Sequence, residues 1–553
     1  MKLQIKCIFG FCLYKTFFCD DVLVRVQQGW LSGERVEAVT GDYFYSFKGI
    51  PYAKPPLGPL RFKAPQKPIS WNGVRDAKEN RAVCPQIDIP NNVYVPGSED
   101  CLFLNVFTPD ITPDNPLPVM FFIHGGLYKS GSGDDTVYGP DFLISKNVIV
   151  VTINYRLDAL GFLNLETKEV PGNAGMKDQV LALLWVNRNI KQFGGDPNLI
   201  TMFGQSAGAA SVAYHMVSPM SKGLFQRAIL MSGVPNLDCF FSYKPKDRAF
   251  ILGKELGFET KNTSELLTFL QSVPTEKLIN TTSTVLASEE ITSILFKLHP
   301  YVPVIEKSFG QQRFLIEDPL KTLERGSVNK VDVLCGYTSH ENLVLIPFYV
   351  NWFYIARYNR YKELLVPTKI LFNSPPNVIL HLANKIIDYY FGNKTISVSN
   401  MPEFINYATA STMFYDVHRF FRRWPQVGTR YFYKFSAYSA RNLYGREGAK
   451  YGIFGASHLD DLLYLFYQKD LNLPLGKSTK EYKIVQLFVN VFTNFAKCGD
   501  PTPDSSLGVV WPQFYATSLA FMNITDKLEV GYAPDEQHVQ FWKNVLEYTG
   551  ITF

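Results

Sequence analysis

The chain has 553 residues, 46% of them hydrophobic, 19% charged and 15% aromatic, with 38 Gly and 34 Pro. That much apolar surface excludes a disordered, collagenous or low-complexity protein and is enough for a large core, in several domains of about 150 residues or in one large α/β unit. The formal charge of +5 comes from 55 basic and 50 acidic residues without long blocks of one sign, so nucleic-acid binding has no support.

At the N-terminus, Lys2 and Lys6 precede an uncharged run from Cys7 to Tyr14, the outline of a secretory signal over residues 1–20. Lys15 interrupts it and no small-x-small cleavage site precedes Asp20, so secretion is expected if the segment is a signal and a cytoplasmic location if it is not. Two apolar runs follow, PVMFFIHGG ending at Gly125 and Gly126 and NVIVVTINYR ending at Arg156, each predicting a buried parallel strand. GMKDQVLALLWVNRNIKQF spaces Val180, Leu181, Leu184, Trp185 and Ile190 as a helix and stops at Gly194-Gly195. ITMFGQSAG predicts a strand entering a glycine-flanked turn, and AASVAYHMV continues as a helix. AILMSG and VDVLCG predict short strands closed by glycine.

Strands alternating with helices predict a mostly parallel sheet with helices on both faces and a ligand site beyond the strands' carboxyl ends. The stretches 240–330 and 343–450 are less regular and read as insertions and helices over the sheet. The longest apolar stretch among them, Leu343 to Ala356, carries Pro347 and Asn351 and is core-helix length, so no stable membrane insertion is expected. With no repeat and no long linker, residues 21–553 read as one unit. Eight cysteines without a CxxC pair predict no zinc ribbon or thioredoxin-like site, and neither a metal nor a cofactor is expected.

The sharpest local pattern is Gly204-Gln205-Ser206-Ala207-Gly208. A serine on a tight strand-to-helix turn needs small neighbours, and the helix after it points its positive end at the place where an oxyanion would form. Alone the pattern is weak, since a chain of this length yields one by chance roughly 0.1 to 0.2 times; the strand before it and the Ala-rich helix after it give it context. His124-Gly125-Gly126-Leu127 is a second turn whose backbone N–H groups, with that of Ala207, suit an oxyanion. His124 itself reads as a structural histidine.

A serine hydroxyl needs a base and the base an orienting carboxylate. Of the eight histidines, His458 fits best, far downstream of Ser206 and following Gly452 and Gly455. For the acid, Glu341 follows the VDVLCG strand in a short loop, but spacing does not separate it from Asp332.

These residues resemble a type-B carboxylesterase of the carboxylesterase/cholinesterase family, within it the insect-type esterases. The resemblance spans nearly the whole chain from about residue 22. It rests on FKGIPYAKPPLGPLRF (Phe47 to Phe62), EDCLFLNVF (Glu99 to Phe107), the HGG turn, NYR (Asn154 to Arg156), GNAGMKDQ (Gly172 to Gln179), FGGDP (Phe193 to Pro197), FGQSAGAAS (Phe203 to Ser211), MSG (Met231 to Gly233) and GASHLDDL, in the right order. It implies an α/β-hydrolase fold, a central mostly parallel sheet flanked by helices with gorge-forming insertions, and a serine esterase acting on a small-molecule ester. Carried over, Ser206 is the nucleophile, Glu341 the acid in a Gly-x4-Glu pattern from Gly336, and His458 the base. Gly126, Leu127 and Ala207 supply the oxyanion N–H groups, Ser232 supports the acid, and Cys84 and Cys101 form a disulfide whose loop borders the gorge. A secreted compartment would permit that bond.

Three positions depart from the family pattern. Leu127 stands where relatives usually have a third glycine, and its side chain is expected to crowd the pocket. Asn342 replaces the glycine after the acid, a change expected to do little harm because Asn tolerates φ > 0. Cys239 lacks the nearby partner that a second disulfide would need.

The residues also bear on substrate. The loop between Cys84 and Cys101 has no Trp and only Tyr94 as an aromatic, and Gln205 is neutral where cholinesterases carry a glutamate, so a choline ester is not expected. GQSAG and Gly455-x-x-His458-x-x-Asp461 resemble juvenile hormone esterase motifs that other insect esterases share. Hydrolysis of small to medium lipophilic esters (dietary, xenobiotic or odorant) is the principal expectation and juvenile hormone hydrolysis the alternative. Adhesion proteins of this fold typically lack the serine and continue into a membrane helix, whereas this chain keeps Ser206, Glu341 and His458. Sequons at Asn262, Asn280, Asn393 and Asn523 would suit a secreted glycoprotein but are about as many as chance gives, so they add little to the argument for secretion. Nothing in the sequence specifies an oligomeric state.

Overall fold

The computed structural model describes residues 22–240, 242, 244–282, 299–351, 354–392, 394–471 and 473–551, so the segment read as a signal lies outside the described residues. Strands β1 (Val22–Val26), β2 (Gly29–Glu37) and β3 (Tyr43–Pro51) form an antiparallel edge, with β4 (Val74–Asp76) beside β2. A separate hairpin, β5 (Gln86–Asp88) and β6 (Val93–Val95), lies between Cys84 and Cys101, and β7 (Phe103–Thr108) joins the edge to the rest. From there β8 (Leu117–Ile123), β9 (Ile149–Ile153), β10 (Gly195–Gln205), β11 (Arg227–Met231), β12 (Asp332–Thr338), β13 (Arg430–Phe435) and β14 (Ala520–Ile524) run parallel in the spatial order β9-β8-β10-β11-β12-β13-β14. β15 (Leu528–Tyr532) closes the sheet antiparallel.

The unbroken apolar runs follow from burial on both faces. In β8, Val119, Phe121 and Ile123 enter one core with the helices Ala174–Asn189 and Ala207–Val217, while Met120 and Phe122 enter the other with the helix Lys480–Cys498. The Ala174–Asn189 helix ends through a short 3₁₀ turn at Gly194, as the glycine pair predicts. VDVLCG differs from expectation, because β12 continues past Gly336 to Thr338. Gly336 answers a close approach rather than a strand end: a Cβ there would lie 2.3 Å from the Tyr433 ring on β13.

NYR and GNAGMKDQ meet in a buried ion pair, where Arg156 donates to Asp178 from Nη2 at 2.7 Å and from Nε at 2.8 Å. That pair fixes the start of the Ala174–Asn189 helix against the end of β9. The irregular stretches hold helices over the sheet, as expected. Leu343 to Ala356 is divided between the helices Ile346–Asn351 and Tyr354–Arg360. Between the helices Met401–Thr409 and Tyr415–Arg423, a π-helical turn at Ala410–Phe414 turns Ser411, Thr412 and Met413 towards the carboxyl end of the sheet.

Candidate active site

Beyond the carboxyl ends of β8, β10 and β12 lies a cavity of about 370 Å³ lined by Ser206, Glu341 and His458 together. Ser206 stands between β10 and the helix Ala207–Val217 with φ 59° and ψ −126°, a region that L-residues enter at a cost. Its N–H donates to Met231 O at 2.8 Å and its C=O accepts from Ala210 N at 2.9 Å, so both flanking elements hold the strain in place. The downstream glycine is required by contact: a Cβ on Gly208 would meet Ile123 O at 2.0 Å.

At the end of β8 the chain turns through three successive left-handed residues, Gly126 (φ 99°), Leu127 (φ 57°) and Tyr128 (φ 60°). Lys129 N and Ser130 N both donate to Gly126 O at 2.9 Å, and the Tyr128 ring is buried between Phe162 and Phe240. The N–H groups of Gly126 and Leu127 find no acceptor among the described residues. Ala207, the first residue of its helix, has an N–H without an intrahelical partner. Gly126 and Leu127 line the same cavity as Ser206, and Ala207 follows the serine directly. His124 is structural, as expected: it is buried outside the cavity wall, stacks on Tyr155 and is pushed down to about 4 by burial.

Strand direction sets Glu341 and Asp332 at opposite ends of β12. Asp332 opens β12 and pairs with Arg227 at 3.5 Å, whereas Glu341 lies past the other end of the strand and is buried. Glu341 Oε1 accepts from Ser232 Oγ at 2.6 Å and from Thr338 N at 2.7 Å, and Oε2 lies 2.6 Å from His458 Nδ1. Burial works against an imidazolium at His458, but the Glu341 carboxylate outweighs it and raises the histidine above its ordinary value. Ser206 Oγ makes no hydrogen bond to a described residue, an arrangement common before substrate closes a site.

Gln205 plays a part beyond the one read from sequence. Its Nε2 lies 3.1 Å from His458 Nε2 and 3.4 Å from Nδ1, which places the amide over the ring face, because in the plane Cε1 would block it. A neutral amide there adds no charge to the base. Gln205→Glu is expected to stabilise the imidazolium and move the acid limb of kcat/KM upward by about one pH unit, measured on a neutral ester between pH 5 and 9.

Of the three departures, Leu127 is the one that touches the cavity wall with a strained backbone. Leu127→Gly is expected to raise the butyrate-to-acetate rate ratio and to cost no thermal stability, since glycine holds φ 57° freely. Unchanged relative rates on the two esters would contradict this. Asn342 does not use its tolerance of positive φ, for it sits in the 3₁₀ turn Glu341–Leu345 and its amide bonds Tyr349 Oη at 3.1 Å and Thr412 Oγ1 at 3.0 Å. Cys84 and Cys101 are joined, and Ile89 and Pro90 of the loop they close line the cavity. Cys239, Cys335 and Cys498 are free thiols.

The rest of the wall was not legible in the motifs. Phe240, Tyr349, Tyr358, Tyr407 and Met413 bring it an apolar surface from the two irregular stretches, and Leu237 adds to it from just before the first. No helix among the described residues is long and apolar enough to cross a membrane.

Comparison with known proteins agrees with this arrangement. The sequence profile of the Carboxylesterase family matches residues 20–542. Esterase B1 of Culex pipiens is 33% identical over 541 residues, covering 95% of this chain and 98% of that protein. Juvenile hormone esterase of Heliothis virescens is 34% identical over 510 residues, covering 89% and 88%. The crystal structure of juvenile hormone esterase from Manduca sexta, with OTFP covalently attached, superposes with a TM-score of 0.85 at 31% identity, covering 96% of this chain and 100% of that one.

Proposed function

The chain belongs to the carboxylesterase family, and from that premise we propose that Ser206, Glu341 and His458 perform its ester hydrolysis as nucleophile, acid and base. The observation that carries the assignment is the 2.6 Å contact between Glu341 and His458 beside a strained serine in one cavity. His458 takes the proton of Ser206 Oγ as the oxygen attacks the ester carbonyl, and Glu341, fixed by Ser232 and Thr338, steadies the imidazolium that forms. The N–H groups of Gly126, Leu127 and Ala207 receive the developing oxyanion. Collapse returns the proton to the leaving alkoxide and releases the alcohol. Water then attacks the acyl-serine by the same route in reverse.

The walls favour lipophilic esters of small to medium size. A quaternary ammonium would meet neither a carboxylate at Gln205 nor an aromatic ring from the Cys84–Cys101 loop, since Tyr94 does not line the cavity. A second reading, juvenile hormone hydrolysis, is supported by the relatives that bear that name and by Gln205 and Asp461, which match motifs of that group. The disulfide and the N-terminal segment favour secretion.

Turnover of short aliphatic and naphthyl acetates against juvenile hormone separates the two readings. Comparable or faster turnover of the acetates is expected, and a strong preference for the hormone would establish the second reading instead.

A further inference from the structure

Three elements bring polar side chains together in the cavity wall: Asn342 from the 3₁₀ turn Glu341–Leu345, Tyr349 from the helix Ile346–Asn351 and Thr412 from the π-helical turn Ala410–Phe414. Thr412 Oγ1 shares its hydrogen between Ala408 O at 2.8 Å and Asn342 Oδ1 at 3.0 Å, which turns the amide nitrogen towards Tyr349. Asn342 Nδ2 then donates to Tyr349 Oη at 3.1 Å. The Tyr349 ring is held as well, edge-on to Phe404 with 4.9 Å between centroids, and the residue is only 7% exposed.

A phenol hydroxyl both accepts and donates. At Tyr349 the accepting side is taken by Asn342, while the hydrogen finds no acceptor among the described residues. Tyr407 shows the contrast, since it lines the same cavity but its hydroxyl donates to Leu365 O at 2.8 Å and is spent. The glycine that the family pattern has at position 342 could not hold the Tyr349 hydroxyl. Burial pushes that phenol up to about 12, so it keeps its hydrogen over the range in which the enzyme works. We propose that Tyr349, held by Asn342, determines specificity by donating to a second oxygen of the ester, an ether or carbonyl oxygen remote from the scissile bond. The proposal rests on the reading of this cavity as the ester site and names, within lipophilic esters, the class that bears such an acceptor.

Polar groups set into an apolar pocket fix the orientation of what binds there. An ester with only hydrocarbon at this place leaves the Tyr349 hydroxyl to water or unpaired, whereas one with an acceptor there takes the hydrogen itself. The contact lies away from the reacting carbonyl and is the same before and during acyl transfer. It therefore strengthens ground-state and transition-state binding alike, so the gain is expected in KM and not in kcat.

The test uses two matched pairs of esters, one for each part of the molecule that could reach Tyr349: nitrophenyl heptanoate against nitrophenyl 4-ethoxybutanoate, and heptyl acetate against 4-ethoxybutyl acetate. In each pair an ether oxygen replaces one methylene. The readout is the ratio of kcat/KM, ether over hydrocarbon, in which a general loss of activity cancels. In at least one pair that ratio is expected to fall about three- to tenfold from wild type to Tyr349→Phe, through a higher KM for the ether ester. A ratio that Tyr349→Phe leaves unchanged in both pairs, or a fall carried by kcat alone, would overturn the proposal. The double variant Asn342→Leu with Tyr349→Phe, which leaves no orphaned amide, is read the same way if the single variant does not fold. Undiminished hydrolysis of these esters by Ser206→Ala would instead refute the ester site itself, a failure distinct from that of Tyr349.

Discussion

Ser206→Ala is expected to lower kcat/KM on nitrophenyl acetate by about 10⁴-fold or more while leaving the melting curve unchanged. The size of the loss follows from what remains. The N–H groups around Gly126 and Ala207 and the apolar walls still bind and polarise the ester, but no acyl-enzyme forms, and water is not held where the serine oxygen was. Stability is preserved because Ser206 Oγ makes no hydrogen bond to a described residue, and alanine keeps the same backbone contacts to Met231 O and from Ala210 N. A loss of only a few fold, with the protein still folded, would mean that another nucleophile performs the reaction.

Glu341→Gln is expected to cost about 10³- to 10⁴-fold in kcat, the second largest effect. The amide fills the same space and can still accept from Ser232 Oγ and Thr338 N, which lie 2.6 and 2.7 Å from the native carboxylate, so the turn after β12 should persist. What it removes is the charge. Glu341 raises His458 above its ordinary value, so without it the imidazolium is less stable and the acid limb of kcat/KM moves to lower pH. A profile that moves upward, or does not move, would show that Glu341 is not the anion that sets the base. Rescue by Glu341→Asp is expected to be partial, because the shorter chain cannot bridge Ser232 and His458 with the same spacing.

The parts of this protein that could be read from its residues are those where a local requirement dictates the residue. The runs in β8 and β9 are apolar without alternation because both faces are covered, and they announce a parallel sheet directly. Gly208 is forced by the approach of Ile123 O, and so the turn bearing Ser206 is legible as a five-residue pattern. Gly336 carries the same kind of signal but misleads, because the atoms that exclude a side chain belong to Tyr433, nearly a hundred residues away, and not to a turn. The acid could not be chosen by spacing, since Asp332 and Glu341 flank one strand; only the direction of β12 puts one beside His458 and the other at the far end. Asn342 illustrates the limit from the other side. Its tolerance of positive φ is a property of the residue alone, while its actual role, bonding Tyr349 and Thr412, depends on where two insertion helices pack. The cavity walls have the same origin in long-range packing, which leaves no mark on a local pattern.

Packing also holds the turn after β8, which the proposed mechanism uses for the oxyanion. Leu127 occupies a conformation that favours glycine, but Tyr128 beside it is buried between two phenylalanines and holds the turn closed. The backbone donors therefore survive a side chain that narrows the space above them. In the proposed mechanism the turn keeps its donors, and Leu127 sets the room left for the acyl group.

The most direct test of the central claim is to react the purified protein with a fluorophosphonate ester and map the adduct by peptide mass spectrometry while following hydrolysis of nitrophenyl acetate. One phosphonyl group on Ser206, accumulating in step with the loss of activity, is the predicted result. Full activity with Ser206 unmodified, or an adduct confined to another residue as activity disappears, would contradict it.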